Sequence, residues 1–287
     1  MPDFQKQKIQ WFPGHMAKTR RLIKDSLNLV DGVVEIVDAR IPESSSNPEL
    51  GEIIKNKPKI VLLNKCDVAD EKATKIWVNY YKEKHIIAIP VDCRTGKGLN
   101  QFIPSCKKAL KKVIDKNEAK GMAGKSLRLM VIGIPNTGKS SFINRMAGKN
   151  KAVVADRAGV TRSNQWFNVG NGIELLDTPG VLWPKFDDPS VGDKLAFIGS
   201  VKDEVTDMES LSCRLLDVLK TTNPEMIENR YKITGFEDLQ GWEILEMIGK
   251  KRGFLIKGGE INYERAAAIV CDEFRGGKLG RISLELP

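Results

Sequence analysis

The segment Gly133-Ile-Pro-Asn-Thr-Gly-Lys139-Ser140 constrains the fold more than any other stretch of the chain. It satisfies G-x-x-x-x-G-K-[ST], follows the apolar run Leu129–Ile132 and precedes the helical stretch Ser141–Met146. A strand, a glycine-rich loop and a helix in that order form the setting a phosphate-cradling loop requires. Glycines let successive backbone N–H groups turn inward around phosphate oxygens, and the following helix adds its positive end. Lys139 is expected to bridge the β- and γ-phosphates, and the Ser140 hydroxyl to bind Mg²⁺. Pro135, Asn136, Thr137, Gly138 and Ser141 complete the expected cradle.

Other apolar runs agree with a sheet. Gly32–Val37, Lys59–Leu63, His85–Val91 and Gly172–Leu176 read as buried parallel strands. Between them lie helical stretches such as Glu71–Lys84 and the basic Asn100–Asp115. Strands alternating with helices predict an α/β domain with a mainly parallel sheet. The pattern changes after about Trp183. Thr206 and Glu209 form a capping box ahead of the stripe Met208, Leu211, Leu215, Val218 and Leu219. Asn223-Pro224 places proline at a helix start, and Tyr263, Ala267, Val270 and Phe274 keep helical spacing up to Gly276, a C-cap candidate. Ile282, Leu284 and Leu286 alternate as a short extended tail. The expected domains are therefore 1–184, carrying a basic segment 1–26, and a small, mostly helical 185–287.

Two further loops extend the phosphate site. Asp177-Thr-Pro-Gly180 follows the run Ile173–Leu176 and lies 37 residues after Ser140. Asp177 can hold Mg²⁺ through water, and the Gly180 N–H can meet the γ-phosphate. Thr161, in the charged stretch between, is the natural second hydroxyl ligand for Mg²⁺. Asn64-Lys-Cys-Asp67 follows the strand Ile60–Leu63. The Asp67 carboxylate can accept from guanine N1–H and the 2-amino group. Adenine lacks that donor pair, and an unpaired buried carboxylate would reject it. Asn64 is expected to tie this loop to the phosphate loop, and the Lys65 stem to cover the base. In Val91-Asp92-Cys93-Arg94-Thr95-Gly96 the Cys93 N–H is placed to meet the base carbonyl; Asp92 and Cys93 depart from the usual Ser-Ala.

The order of these loops is unusual. Ordinary GTPases run phosphate loop, switch threonine, D-x-x-G, N-K-x-D, whereas here N-K-x-D comes at 64 and the phosphate loop at 133. With Trp11-Phe-Pro-Gly-His-Met16, Asp38-Ala-Arg-Ile-Pro42 and Gly133–Ser141, this order closely resembles the ribosome biogenesis GTPase A (YlqF) family of circularly permuted GTPases, over essentially the whole chain. The resemblance implies a permuted P-loop GTPase domain followed by a small helical domain. It implies a GTP-hydrolysing factor that assembles the large ribosomal subunit in the bacterial cytoplasm, with rRNA and ribosomal proteins as partners. It also implies a catalytic histidine at His15. Val181, where many GTPases place a water-orienting glutamine, carries no polar group. Asn136 matches the phosphate-loop asparagine of potassium-dependent GTPases, which implies K⁺ beside the phosphates; loop bracing is its other reading.

Charge fits a polyanionic partner. The formal net charge is +9. From Ser200 onward 13 basic residues face 16 acidic ones, so the excess lies before it. One cluster is Lys6, Lys8, Lys18, Arg20, Arg21 and Lys24; another runs through Lys107, Lys108, Lys111, Lys112, Lys116, Lys120, Lys125 and Arg128. Such a field attracts nucleic acid, although a solvated helix face has the same composition. Five cysteines without a C-x-x-C pair and two histidines argue against a disulfide scaffold or zinc finger. No apolar run reaches membrane-span length, and the N-terminus lacks a secretory apolar core. The expected chain is cytoplasmic, off the membrane and monomeric. A GTPase acting on tRNA or another structured RNA, or an RNA-binding switch with negligible turnover, are the alternative readings.

Overall fold

The computed structural model describes residues 21–54, 57–148, 165–180, 188–201, 203 and 206–287. Among these the chain divides into two compact units, one holding residues 21–180 with Glu285–Pro287, the other residues 188–284. The last three residues, read in the sequence as the end of the helical domain, thus group with the sheet unit.

The first unit is built on β1 (Gly32–Asp38), β2 (Lys59–Asn64), β3 (Ile87–Pro90), β4 (Leu127–Ile132), β5 (Gln165–Gly170) and β6 (Ile173–Asp177). They form one sheet in the order β3-β2-β1-β4-β6-β5, all parallel except β5, which pairs antiparallel with β6. The edge strand β5 was not expected from sequence. Its inner residue Phe167 is buried, while Gln165, Trp166 and Asn168 are exposed, so it has no continuous apolar run to announce it.

Every residue of β1 is buried, as a central parallel strand covered on both faces requires. On one face Val34, Ile36, Leu62, Leu129 and Val131 pack under Phe102 and Phe142. Those two rings meet edge-on, with centroids 4.9 Å apart, and each contributes roughly 1.5–3 kcal/mol by its burial. On the other face Val33, Met130 and Ile132 meet Ile23, Leu27 and Leu50, and Val37, Val61 and Leu63 meet Trp77 and Tyr81. The covering helices are α1 (residues 21–26), α2 (Pro48–Ile54), α3 (Glu71–Glu83), α4 (Phe102–Ala109), α5 (Lys111–Ala119) and α6 (Lys139–Ala147). Glu35 is buried in β1 and satisfied by Lys59 Nζ at 2.8 Å and Ser46 Oγ at 2.8 Å. The basic helix expected over Asn100–Asp115 is two helices. At Leu110 the backbone opens to φ −98°, ψ 14°, and α5 restarts with no fully buried residue.

The second unit comprises α7 (Pro189–Phe197), α8 (Met208–Thr222), α9 (Pro224–Tyr231), α10 (Gly241–Arg252) and α11 (Tyr263–Arg275). α8 is its centre and packs against the other four. Its N-cap is Asp207, not Thr206: the Asp207 carboxylate accepts from the N–H groups of Glu209 and Ser210. An aspartate one residue further on outcompetes the threonine because its ionised oxygens bind two orphan donors at the helix's positive end. Gly241 opens α10 pressed onto the Cys213 carbonyl of α8, where a side chain would collide, and its N–H donates to Asp217 Oδ1 at 2.9 Å. Arg230 on α9 donates from Nε to Glu273 Oε2 at 2.9 Å, and these bonds hold the Glu273 carboxyl below its ordinary range. Gly276 caps α11 without entering the left-handed region. The tail residues Ile282, Leu284 and Leu286 are in no strand.

Candidate nucleotide site

The strand order reverses between β1 and β4, and a crevice outside the carboxyl ends of strands at such a point is where α/β sheets bind ligands. The loops singled out in the sequence leave those ends: Asn64–Asp67 after β2, Asp92–Gly96 after β3, Gly133–Gly138 after β4 and Asp177–Gly180 after β6. Distance along the chain disappears here. Asn64 and Thr137 are 73 residues apart, yet Asn64 Nδ2 donates to the Thr137 carbonyl at 2.6 Å. Gly138 has φ +99°, and any Cβ there would strike the Asn64 amide. A glycine at that point is therefore a requirement of the contact between the two loops.

The phosphate loop is braced from within. Thr137 Oγ1 and Lys139 Nζ both donate to the Ile134 carbonyl, at 2.9 and 2.7 Å. Asn136 is left-handed at φ +60°, a conformation asparagine tolerates better than most residues. α6 begins at Lys139, so its first N–H groups point into the loop. Lys139 is buried; that burial pushes its ammonium down to about 8, opposed by the charge of Asp177. Asp177 itself is buried at the end of β6, and Thr178 anchors the next turn by donating to the Val131 carbonyl at 2.7 Å. Gly180 lies so close to the phosphate loop that a Cβ on it would come 2.8 Å from Lys139 Nζ and 3.0 Å from the Pro135 nitrogen. The D-x-x-G turn and the phosphate loop thus converge on one lysine. A hydroxyl at Ser140 and a carboxylate at Asp177 are the hard oxygen donors that Mg²⁺ prefers, so the residues present fit that ion.

The base-recognition loops are equally local in structure. Asn64 Oδ1 accepts from the Cys93 N–H at 3.0 Å, so the donor expected to meet the base carbonyl is engaged by Asn64 in this structure. Asp92 shapes its loop as an Asx turn. It accepts from Arg94 N–H at 2.8 Å, Thr95 N–H at 3.3 Å and Thr95 Oγ1 at 2.6 Å. Burial alone would raise the Asp92 carboxyl; these hydrogen bonds hold it below its ordinary range. The aspartate that stands in place of the usual serine satisfies the turn's own donors. Asp67 Oδ2 lies 3.3 Å from Arg94 Nη2. The arginine is 81 % exposed, so this pair adds little stability and exchanges readily with other donors. Lys65 has φ +60° and its Nζ reaches Asp38 Oδ2 at 3.1 Å.

His15 and Thr161 lie outside the described residues. The structure also contains contacts that motif reading missed. Arg145 on α6 donates to the Arg94 carbonyl, joining the phosphate-loop helix to the base loop. Glu285 accepts from the Glu43 N–H at 3.0 Å, the Ser44 N–H at 3.1 Å and Ser44 Oγ, while its carbonyl accepts from Trp77 Nε1 at 3.1 Å. No local pattern marks Glu285; the only sequence hint was a carboxylate at the end of an apolar tail. The five cysteines are buried and none forms a disulfide, and burial drives the Cys106, Cys213 and Cys271 thiols up to about 12.

Comparison with known proteins agrees with this geometry. Residues 128–239 match the family model described as 50S ribosome-binding GTPase. The chain is similar to Ribosome biogenesis GTPase A of Bacillus cereus, at 46 % identity over 280 residues covering 97 % of this chain and 94 % of the relative. Its similarity to the Thermotoga maritima protein of that name is 36 % over 279 residues, covering 97 % and 95 %. A GDP-bound TM YlqF structure matches with a TM-score of 0.66 and 33 % identity, covering 93 % of this chain and 99 % of that one. The GNP-bound YlqF from T. maritima matches at 0.64 and 32 %, covering 94 % and 98 %. Nearly half of the residues are shared with named members across almost the full length of both chains, and the loop order and strand order are those of a permuted nucleotide site: the chain belongs to the ribosome biogenesis GTPase A family and is a GTPase.

Proposed function

We propose that this GTPase binds the precursor of the large ribosomal subunit, in the cytoplasm and as a monomer, and promotes its late maturation. The observation that carries the nucleotide part is the Asn64–Thr137 bond, which joins base loop and phosphate loop into one site. Asp67 and Lys65 hold the guanine, Asn64 ties their loop to the phosphate loop and to Cys93, and Asp92 and Cys93 frame the second loop beside the base. Pro135, Asn136, Thr137, Gly138, Lys139, Ser140 and Ser141 surround the phosphates, and Gly180 senses the γ-phosphate. Ser140, Thr161 and Asp177 are assigned to Mg²⁺, which when bound neutralises charge developing between the β- and γ-phosphates. Asn136, in the phosphate loop with its backbone left-handed at φ +60°, is assigned to K⁺. Lys139 is poised to take on full positive charge beside an oxyanion, because the burial that weakens its ammonium also strengthens any charge pair it makes. In the sequence Val181 to Ser190 directly connects Gly180 with the helical unit, so a change at Gly180 has a short covalent path to it.

Val181 cannot orient water, and His15 is the residue we assign to that step. His15→Ala is expected to leave GTP affinity and melting temperature nearly unchanged and to cut hydrolysis at least about 10²-fold, measured with ribosomal particles present. Full stimulated turnover in the folded variant would transfer the role to a ribosomal group.

The partner reading rests on charge. Lys107 and Lys108 on α4, and Lys111, Lys112 and Lys116 on α5, are all exposed, and α5 contributes no fully buried residue to a core. Sedimentation of the chain on a sucrose gradient with a non-hydrolysable GTP analogue tests it: co-migration with large-subunit precursors is expected, and co-migration with tRNA instead would replace the reading. Binding should weaken steeply with salt, since each neutralised phosphate releases counterions. Charge reversal at Lys107, Lys108, Lys111 and Lys112 should flatten that slope; an unchanged slope would make this face merely solvated.

A further inference from the structure

The base loop is flanked by a buried ion pair that takes no part in any assignment so far. β1 and β2 run in parallel with Asp38 opposite Asn64, and the Ala39 N–H donates to the Asn64 carbonyl at 2.8 Å. Asp38 therefore sits beside the start of the Asn64–Asp67 turn. Its carboxylate is fully buried, and so is the guanidinium of Arg40. Arg40 grips it as a fork, Nε to Oδ1 at 2.9 Å and Nη2 to Oδ2 at 2.8 Å, and adds its own N–H to Oδ1 at 3.1 Å. The Asp38 N–H donates to Ser45 Oγ at 3.0 Å, closing the turn that follows β1. Into this assembly comes Lys65 Nζ, 3.1 Å from Asp38 Oδ2.

The charge count is informative. Arg40 alone neutralises Asp38, and a second cation is superfluous for the carboxylate. The Lys65 contact consequently serves Lys65. That residue starts from φ +60°, which L-residues rarely adopt, and its side chain is 28 % exposed. A long stem leaving a left-handed residue at the rim of a site would otherwise sample many rotamers. Burial works against the Asp38 charge, yet Arg40 and Lys65 hold its carboxyl well below the usual range, so the anchor is charged throughout ordinary conditions.

We propose that Asp38 and Arg40 are positioning residues for guanine recognition: they fix the Lys65 ammonium, and with it the turn that carries Asp67, without touching the nucleotide. The proposal rests on the reading of Asn64–Asp67 as the base loop.

A double-mutant cycle tests it in the full chain, with Asp38→Asn, Lys65→Met and the pair together. GDP and inosine diphosphate affinities are measured beside the melting temperature. Inosine lacks only the 2-amino group, so the ratio of the two affinities reports how well Asp67 is aimed. Each single variant is expected to weaken GDP about tenfold and to shrink the GDP preference severalfold, with the double variant no worse than the weaker single one, as residues acting as a unit require. A lowered melting temperature with GDP affinity and preference unchanged would make the pair a fold element only, and losses that multiply in the double variant would also overturn the proposal. If Asp38→Asn does not fold, Arg40→Lys, which keeps the buried charge but not the fork, replaces it with the same expectations. Asp67→Asn is run alongside. If it moves preference toward xanthine while Asp38→Asn changes nothing, only the positioning role is lost. If Asp67→Asn keeps its guanine preference, the base loop is misassigned and the proposal falls with it.

Discussion

Asp67→Asn is expected to cost GTP about 10²–10⁴-fold in affinity and to make xanthosine triphosphate the better ligand. A carboxylate accepts from N1–H and the 2-amino group together, and both bonds are charge-assisted. An asparagine presents one acceptor and one donor, which clashes with guanine's two donors but matches the N–H and carbonyl of xanthine. A site built for a polar pair rejects the wrong partner by orders of magnitude, because the unmatched groups stay desolvated. The fold should be unaffected: Asp67 pairs with Arg94, which is 81 % exposed. Competition between the two triphosphates, measured on wild type and variant, reads the swing directly. Retained guanine preference would remove Asp67 from the base site.

Lys139→Ala should abolish productive binding of Mg·GTP, with affinity reduced about 10²–10³-fold or more. The ammonium is buried, and a phosphate oxygen beside it forms a charge pair shielded from water; removing one partner of such a pair costs roughly 3–5 kcal/mol. The variant should still fold. The Ile134 carbonyl that Lys139 contacts keeps its bond from Thr137 Oγ1 at 2.9 Å, so the loop loses one of two internal braces. Equilibrium binding of GTP with Mg²⁺ and a melting curve on the same sample separate loss of function from loss of fold. Near-normal binding would sink the phosphate-loop assignment.

The sequence by itself determined the parts whose physics is local. A strand, a glycine-rich turn and a helix start are specified within about ten consecutive residues, because glycine φ angles, N-terminal amides and apolar runs act over one or two turns. That is why Gly133–Ser140, Asn64–Asp67 and Asp177–Gly180 are legible in the sequence as loops at strand ends, and why their order marks a permuted chain. β5 escaped because an edge strand with one inner residue, Phe167, has too weak a period to stand out. The break at Leu110 escaped because Asn100–Asp115 keeps helical composition throughout; it falls at a residue 1 % exposed in the core, where the backbone takes φ −98° and ψ 14°. Contacts between distant residues were decided only by tertiary structure. Asp38 faces Lys65 because parallel pairing sets Asp38 against Asn64, and a register is a property of two strands together. Glu285 reaches Ser44 across 241 residues for the same kind of reason. Burial of the chain end beside Trp77 brings a carboxylate to two backbone N–H groups that need an acceptor, and nothing in the residues around Glu285 encodes where those groups will be.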